Sequence, residues 1–563
     1  MDLTICNIRT ACLFPAAFGL ATAPLCRYNT KNGIGKGEHH MYTENGIYLG
    51  LAGEQRVSLA LRMANRHGLI AGASGTGKTV TMKVLAESFS DAGVPVFLCD
   101  IKGDVSGLAE AGVTSEGMEK RIDRFGIRDT FRYRPYPVSF WDVYQEAGHP
   151  VRASVSDMGP ELLSRILGLT PAQEGVLNIV FRVADDHGLL LTDMKDLKAM
   201  LRYIGEHRAE LLTDYGNVSA QSLGGITRAL LPLEAQGGEL FFGEPELDIM
   251  DLIRRDAEGR GVVNLLDCVK LARSPKLYAT FLLWLMSELF ERLPEAGDLD
   301  KPKLVFFFDE AHMLFSDAPK LLVQKIEQMV KLIRSKGVGV WFVTQSPSDI
   351  PDSVLAQLSG RIQHALRAYT PAEQKAVRAA ASSLRPNPAF RAEGVIMELG
   401  VGEALVSLLD ENGVPGVTER TKIICPQSLM APCADATRQS RRAADGMTKY
   451  DASVDSDSAY EMLERRREKD EQQAALDAER AALEKERAEF EAQKQKEAAA
   501  AEKKREKEAE AAEKKRQREL EKQQAKYEKQ VERRKAQIER QVINAGAQVL
   551  KRGLMNTLFG GKR

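Results

Sequence analysis

From about residue 45 the chain alternates short apolar runs with longer segments in which apolar residues recur every three or four positions. Five runs are almost continuous in aliphatic and aromatic residues: GLIAG (68–72), VPVFLCD (94–100), GVVNLLD (261–267), KLVFFFDE (303–310) and VGVWFVTQ (338–345). Runs of this length without polar alternation predict strands buried on both faces. Their separation by helical segments predicts a mostly parallel sheet in an α/β domain. Another apolar run lies in RIQHALRAY (361–369), and GVIMELGVGEALVSLLD (394–410) reads as a hairpin turning at Gly400 and Gly402. Between the second and third strands, roughly 110–255, the pattern predicts a helical insertion; PELLSRILGL (160–169) and VLNIVFRVADDHGLLL (176–191) both carry helical spacing.

The pattern changes after about residue 435. Residues 436–460 are polar with no apolar period and are expected to be a linker. Residues 461–540 contain no Gly or Pro, and 46 of the 80 are charged, with Glu461–Arg465, Glu502–Arg505, Glu510–Lys514 and Glu513–Arg516 spaced to pair along one helix. Leu476, Leu483 and Phe490 fall seven apart, as do Leu520 and Tyr527, and Val531 and Ile538. One apolar residue per heptad makes a weak seam, so 461–541 is expected to be a long solvated helix or a weak coiled coil, a candidate dock for a protein partner. The tail 542–563 is basic and faintly amphipathic. It has the character of a fraying helix end, or of a contact for a membrane, DNA or partner.

Composition alters this outline in few places. With 44% hydrophobic and 28% charged residues, 563 residues suit a soluble protein with a large core. The net charge of −1 conceals 50 basic and 57 acidic residues in 1–460, so the body carries −7. A general basic coat for nucleic acid is excluded, and such binding would need local patches. One candidate patch, KRIDRFGIRDTFRYRPYPVSFW (120–141), interleaves Arg121, Arg124, Arg128, Arg132 and Arg134 with aromatics. It suits a phosphate-tracking groove, and better still a strand that packs its aromatics inward and solvates its arginines. Seven cysteines without metal-ligand spacing fit reduced thiols. ACLFPAAFGLATAPLC (11–26) imitates a signal peptide, but its nearly neutral start and two interrupting prolines argue against one, and it is too short to span a bilayer. The expectation is a cytoplasmic protein with a loose extension over 1–40 and no integral membrane segment.

Candidate chemistry enters at GASGTGKT (72–79), which fits G-x-x-x-x-G-K-[ST] between an apolar run and a helical segment. Gly72, Gly75 and Gly77, with Thr76, let backbone N–H groups surround phosphate oxygens. Lys78 is placed to reach the β- and γ-phosphates of ATP, and Thr79 to hold Mg²⁺. LVFFFDEAH (304–312) ends an apolar strand in Asp309, a Mg²⁺ ligand by position, and Glu310, which can orient or deprotonate water. Gln345, closing the run 338–345, can contact the γ-phosphate or that water. Together these motifs point to hydrolysis and not to nucleotide binding alone.

The letters D-E-A-H also tag a class of RNA helicases, but no Q-R-x-G-R-x-G-R motif follows residue 345. An ABC-type signature before residue 304 is likewise missing: SLGGI (222–226) has the wrong order and QLSGRIQ (357–363) comes too late. The combination of ANRHGLIAGASGTGKTVTMKVLAE (64–87), VFLCDIKGDVSGLA (96–109), LVFFFDEAHMLF (304–315) and SKGVGVWFVTQSPSDIP (335–351) resembles the HerA/FtsK superfamily of P-loop ATPases. It looks most like the bacterial HerA-like proteins lacking the amino-terminal barrel, over residues of about 45–430. That resemblance implies a RecA-like P-loop core (41–435), a homohexameric ring with nucleotide between subunits, and double-stranded DNA in the pore. It also implies that Arg334 serves as a trans arginine at the neighbour's site, with Arg361 the second candidate, and that Asp100 is an acidic site residue. A protein-directed motor of the same superfamily is the alternative.

Overall fold

The computed structural model describes residues 42–43, 46–297, 299–315, 320–505 and 519–540. The five apolar runs form the strands Gly68–Ala71, Val96–Asp100, Val263–Asp267, Leu304–Phe308 and Val338–Thr344. The central parallel order is Gly360–His364, Gly68–Ala71, Val338–Thr344, Leu304–Phe308, Val96–Asp100, Val263–Asp267 and Val138–Asp142. Antiparallel strands Glu403–Ser407, Glu419–Ile423 and Gly46–Ala52 extend the Gly360–His364 side, and Gly46–Ala52 forms a hairpin with Gln55–Ala60.

Alternate residues of the central strands serve two separate cores. Phe306, Phe308 and Phe342 pack with the inserted helices and with the helix Pro275–Arg292. Val305, Phe307 and Val343 pack against Met82, Val84 and Leu85 of the helix Lys78–Asp91. Both faces are covered, which is why these strands read as unbroken apolar runs. All parallel strands end on one edge of the sheet, the edge where open α/β sheets form ligand crevices.

Three expectations need correction. The stretch 394–410 is not a hairpin: Ala392–Glu398 is helical and buries Ile396, and Glu403–Ser407 pairs with Gly360–His364 and Glu419–Ile423 instead. The segment 120–141 begins as the amphipathic helix Glu116–Arg124 and reaches the sheet only at Val138–Asp142, so the helical insertion starts beyond a strand. Its arginines are engaged locally, Arg128 with Asp123 at 2.5 Å and Glu119 at 2.8 Å, Arg134 with Asp91 at 2.5 Å, and Arg121 with the Val401 carbonyl at 3.1 Å. Phe125, Phe131, Tyr136, Phe140 and Trp141 are buried, which matches the inward-packing reading.

Residues 436–460, expected to be a linker, lie on the body. The helix Asp435–Ala444 covers Val138–Asp142, and Tyr450 is buried with its hydroxyl donating to Asp251 at 2.5 Å. His149 contacts Asp445 at 3.0 Å and Asp451 at 2.8 Å. A few aromatic and charged anchors hold this segment without any apolar period. For 461–541, expected as a long solvated helix or a weak coiled coil, the described residues form two helices. Ala459–Arg505 is one helix, and helical residues 519–540 run antiparallel beside it, with Phe490 stacked on Tyr527 at 3.9 Å and Arg534 paired with Glu486 at 2.9 Å. Arg465 pairs with Asp457, not with the Glu461 carboxylate. Among the described residues no helix is long and apolar enough to cross a membrane. The extension 1–40 and the tail 542–563 lie outside the described residues.

Candidate functional site

The strand Gly68–Ala71 leads into the loop 72–77, and the helix Lys78–Asp91 begins directly after it. Gly75 and Gly77 take φ of 74° and 113°, where L side chains are strained, which is why the loop demands glycine there. A Cβ on Gly77 would also lie 3.2 Å from the Gly402 nitrogen, and Gly402 N–H donates to the Thr76 carbonyl at 3.0 Å. The loop is thus backed by the turn before Glu403–Ser407. Lys78 is buried and donates to the carbonyls of Gly72 at 2.6 Å and Ala73 at 3.2 Å. Burial holds its ammonium below the usual lysine range, against opposing attraction from Glu310 and Asp309. Thr79 follows at the first helical turn, half-buried.

Asp309 and Glu310 stand at the end of Leu304–Phe308, two strands from the phosphate loop. Asp309 is 3% exposed, and its Oδ2 has no hydrogen-bond partner among the described residues. Burial and the neighbouring Glu310 charge push its carboxyl up to about 6, partly offset by Lys102. A buried carboxylate oxygen kept without a partner beside the phosphate loop fits a Mg²⁺ ligand, and the Thr79 hydroxyl could hold the same ion. Glu310 takes φ 44°, ψ 50°, an uncommon conformation for a non-glycine residue. Burial favours its neutral form, but Lys102, then Gln345 and Lys78, bring its carboxyl net below the ordinary value. Gln345, exposed at the end of Val338–Thr344, donates to Glu310 Oε2 at 3.4 Å. The loop after it is fixed by Asp349, which accepts from the Thr344 hydroxyl at 2.6 Å and the Ser346 N–H at 3.0 Å. A cleft of about 460 Å³ opens beside these groups, lined by Ala73, His312, Gln345, Arg367 and Glu373.

The structure therefore brings Gly72, Gly75, Thr76, Gly77, Lys78, Thr79, Asp309, Glu310 and Gln345 to one edge of the sheet. Arg334 is not among them. It opens the short turn Arg334–Lys336 before Val338–Thr344, at the opposite end of that strand. Arg361 begins its strand at that same opposite end. It donates to the Leu355 carbonyl at 2.7 Å, and burial lowers its guanidinium to about 10. Asp100 lies one strand from Asp309, but its carboxylate is spent on the Gly103 N–H at 2.7 Å and the Val105 N–H at 3.1 Å. It organises the following loop, and burial with the charge of Asp104 raises its carboxyl to about 7.

Two residues at the site escaped the sequence reading. Lys102, carried by the Asp100 loop, pairs with Glu310 Oε1 at 2.6 Å. Its one sequence signal was a cation two positions past a strand-ending acid. His364, at the end of Gly360–His364, has Nδ1 3.0 Å from the Glu403 carbonyl and Nε2 2.9 Å from the Thr81 hydroxyl. The carbonyl can only accept, so Nδ1 carries the proton and Nε2 accepts from Thr81. Burial keeps this ring neutral, down to about 4. No local pattern marks a histidine whose partners lie 39 and 283 residues away.

No curated protein matched the chain. Among solved structures, the plasmid coupling protein TrwB in complex with the non-hydrolysable GTP analogue GDPNP is 14% identical with a TM-score of 0.47, covering 68% of this chain and 92% of that one. VirB4 of Thermoanaerobacter pseudethanolicus is 15% identical with a TM-score of 0.42, covering 67% and 96%. The family model described as helicase HerA-like, C-terminal, matches residues 49–563, well over half of the sequence. The chain belongs to the HerA-like C-terminal family of P-loop ATPases.

Proposed function

We propose that this protein is a Mg²⁺-dependent ATPase that assembles as a homohexameric ring in the cytoplasm and moves along double-stranded DNA. The observation that carries the hydrolytic part is the convergence of Lys78, Asp309, Glu310 and Gln345 at the ends of three adjacent parallel strands. In this reading the N–H groups of Gly72, Gly75, Thr76 and Gly77 cradle phosphate oxygens, aided by the amino-terminus of Lys78–Asp91. Lys78 exchanges its two carbonyl partners for the β- and γ-phosphates. Thr79 and Asp309 would hold Mg²⁺, which would supply electrostatic stabilisation of phosphate charge when bound. Glu310 orients the attacking water and takes its proton, and Gln345 holds that water or the γ-phosphate in line.

Arg334 acts on the neighbouring subunit. The seven-residue strand Val338–Thr344 separates it from its own site, a span of roughly 20 Å at the usual rise of a strand. Only a ring or chain of subunits lets that guanidinium reach a phosphate, where it would stabilise transition-state charge. DNA as the track rests on the helicase HerA-like family membership. The helix Ala459–Arg505 and its antiparallel neighbour favour a second reading, a motor acting on a protein partner docked there, because they project a 47-residue element that the catalytic core does not need.

Steady-state ATP hydrolysis, with and without linear double-stranded DNA and beside Lys78→Ala, tests the proposal. Strong DNA stimulation that weakens steeply with salt and vanishes in the variant is the expected result. Lys78-dependent turnover that ignores DNA at every salt concentration would discard DNA as the track and leave the protein partner.

A further inference from the structure

Glu310, the residue assigned above to the attacking water, already has protein partners on both carboxylate oxygens. Lys102 Nζ lies 2.6 Å from Oε1, while Gln345 Nε2 at 3.4 Å and His312 Nδ1 at 3.3 Å share Oε2. A general base must offer a lone pair to the proton it takes, and an ammonium at this distance competes directly for it. We propose that Lys102 is a restraining residue, which holds Glu310 away from the water it would activate until the pair separates. The proposal rests on the reading of Glu310 as the group that acts on water.

The two partners are unequal in freedom. The Glu310 side chain is 7% exposed and its backbone is held in a left-handed conformation, whereas the Lys102 side chain is 45% exposed on a long flexible stem. Lys102 is therefore the partner able to leave. A second seat is close by: Asp104, in the same loop, attracts the Lys102 ammonium and keeps its Oδ1 buried without a hydrogen-bond partner among the described residues.

The loop that carries Lys102 is built to set its position. Asp100 clamps the loop from inside through the N–H groups of Gly103 and Val105. From outside, Cys433 N–H donates to Ser106 Oγ at 3.2 Å, Ala434 N–H to Glu110 Oε1 at 2.8 Å, and Arg441 to the Ala109 carbonyl at 3.3 Å. With the loop held on both sides, the ion pair can break by motion of the Lys102 side chain alone.

The test is ATP hydrolysis by the full chain carrying Lys102→Met, Lys102→Arg, Glu310→Gln, or Lys102→Met with Glu310→Gln. Lys102→Met is expected to raise kcat by about threefold to tenfold, the scale of breaking one half-exposed ion pair, with KM for ATP changed less than about twofold. Lys102→Arg keeps a cation for Glu310 and is expected to stay near wild type. A residue with a merely structural role would lower kcat or raise KM when replaced. Lys102→Gln provides the same comparison should methionine unfold the loop. A kcat at or below wild type in both neutral variants, or equal effects of methionine and arginine, would overturn the proposal. Turnover persisting in the Lys102→Met, Glu310→Gln double variant would instead remove Glu310 from the chemistry, a separate failure of the underlying reading.

Discussion

At the scale of single residues, Gly72 illustrates how the phosphate loop depends on its floor. A Cβ there would sit 2.5 Å from the His364 Cβ, on a backbone with φ of 155°. Gly72→Ala must displace His364 and its bond to Thr81. We predict a loss of about 2–3 kcal/mol in stability, measured by chemical denaturation, and weaker binding of a fluorescent ATP analogue. His67 carries a pH prediction. Its Nε2–H donates to the Val330 carbonyl at 2.8 Å and its Nδ1 accepts from the Val340 N–H at 3.0 Å, so the folded chain requires the neutral ring. Burial lowers its pKa from 6.5 to about 4, with Arg334 adding to the shift and the Val330 bond opposing it. Between those values the unfolded chain binds a proton that the folded chain refuses, so stability falls as pH drops. Relative to His67→Gln, wild type is predicted to lose up to about 3 kcal/mol over that interval. Only the difference is diagnostic, because Glu87 and Asp100, both raised to about 7 chiefly by burial, gain stability as pH falls through the same range. The placement of Lys78, Thr79, Asp309 and Glu310 at one edge of the sheet was legible in the sequence because local spacing after a strand fixes it. Lys102, His67 and His364 were not, because their function depends on partners hundreds of residues away or on the far side of a sheet.

At the scale of elements, the strands were legible wherever both faces are covered, since Leu304–Phe308 and Val338–Thr344 have no polar side to confuse the pattern. The stretch 394–410 misled because a seven-residue helix and a five-residue strand, both apolar and joined through two glycines, imitate one hairpin. The segment 436–460 was equally opaque. Its attachment comes from a few side chains, chiefly Tyr450, which also accepts from the Asp248 N–H at 3.0 Å. Tyr450→Phe is predicted to cost about 1–2 kcal/mol by leaving Asp251 without that donor, measured by denaturation with ATP turnover unchanged. The two carboxy-terminal helices associate through a seam that the sequence showed only as weak. Leu483, Tyr527, Val531 and Ile538 line their shared groove, and Ile538 is buried. Tyr527→Ala removes the stack on Phe490, worth about 1 kcal/mol beyond its buried area. Trypsin cleavage within 519–540 should then accelerate several-fold while hydrolysis of ATP stays constant.

At the scale of the whole molecule, the sheet separates two tasks. Its carboxy-terminal edge gathers the phosphate loop, Asp309, Glu310 and Gln345, while Arg334 and Arg361 lie at the other end of the strands, where a neighbouring subunit would meet them. In the proposed ring, this division would place Arg334 of one copy near the phosphate loop of the next. If Arg334 acts in trans, Lys78→Ala subunits mixed with Arg334→Ala subunits should recover part of the activity that each lacks alone, whereas an Arg334 acting within its own subunit would give no recovery. The central claim, that this edge of the sheet hydrolyses ATP through Glu310, is tested most directly by comparing wild type with Glu310→Gln in ATP turnover and nucleotide binding. The variant is expected to bind ATP with nearly unchanged affinity and to lose turnover by about 100-fold or more, the range for removing a general base. A Glu310→Gln protein that hydrolyses ATP at the wild-type rate would contradict that claim.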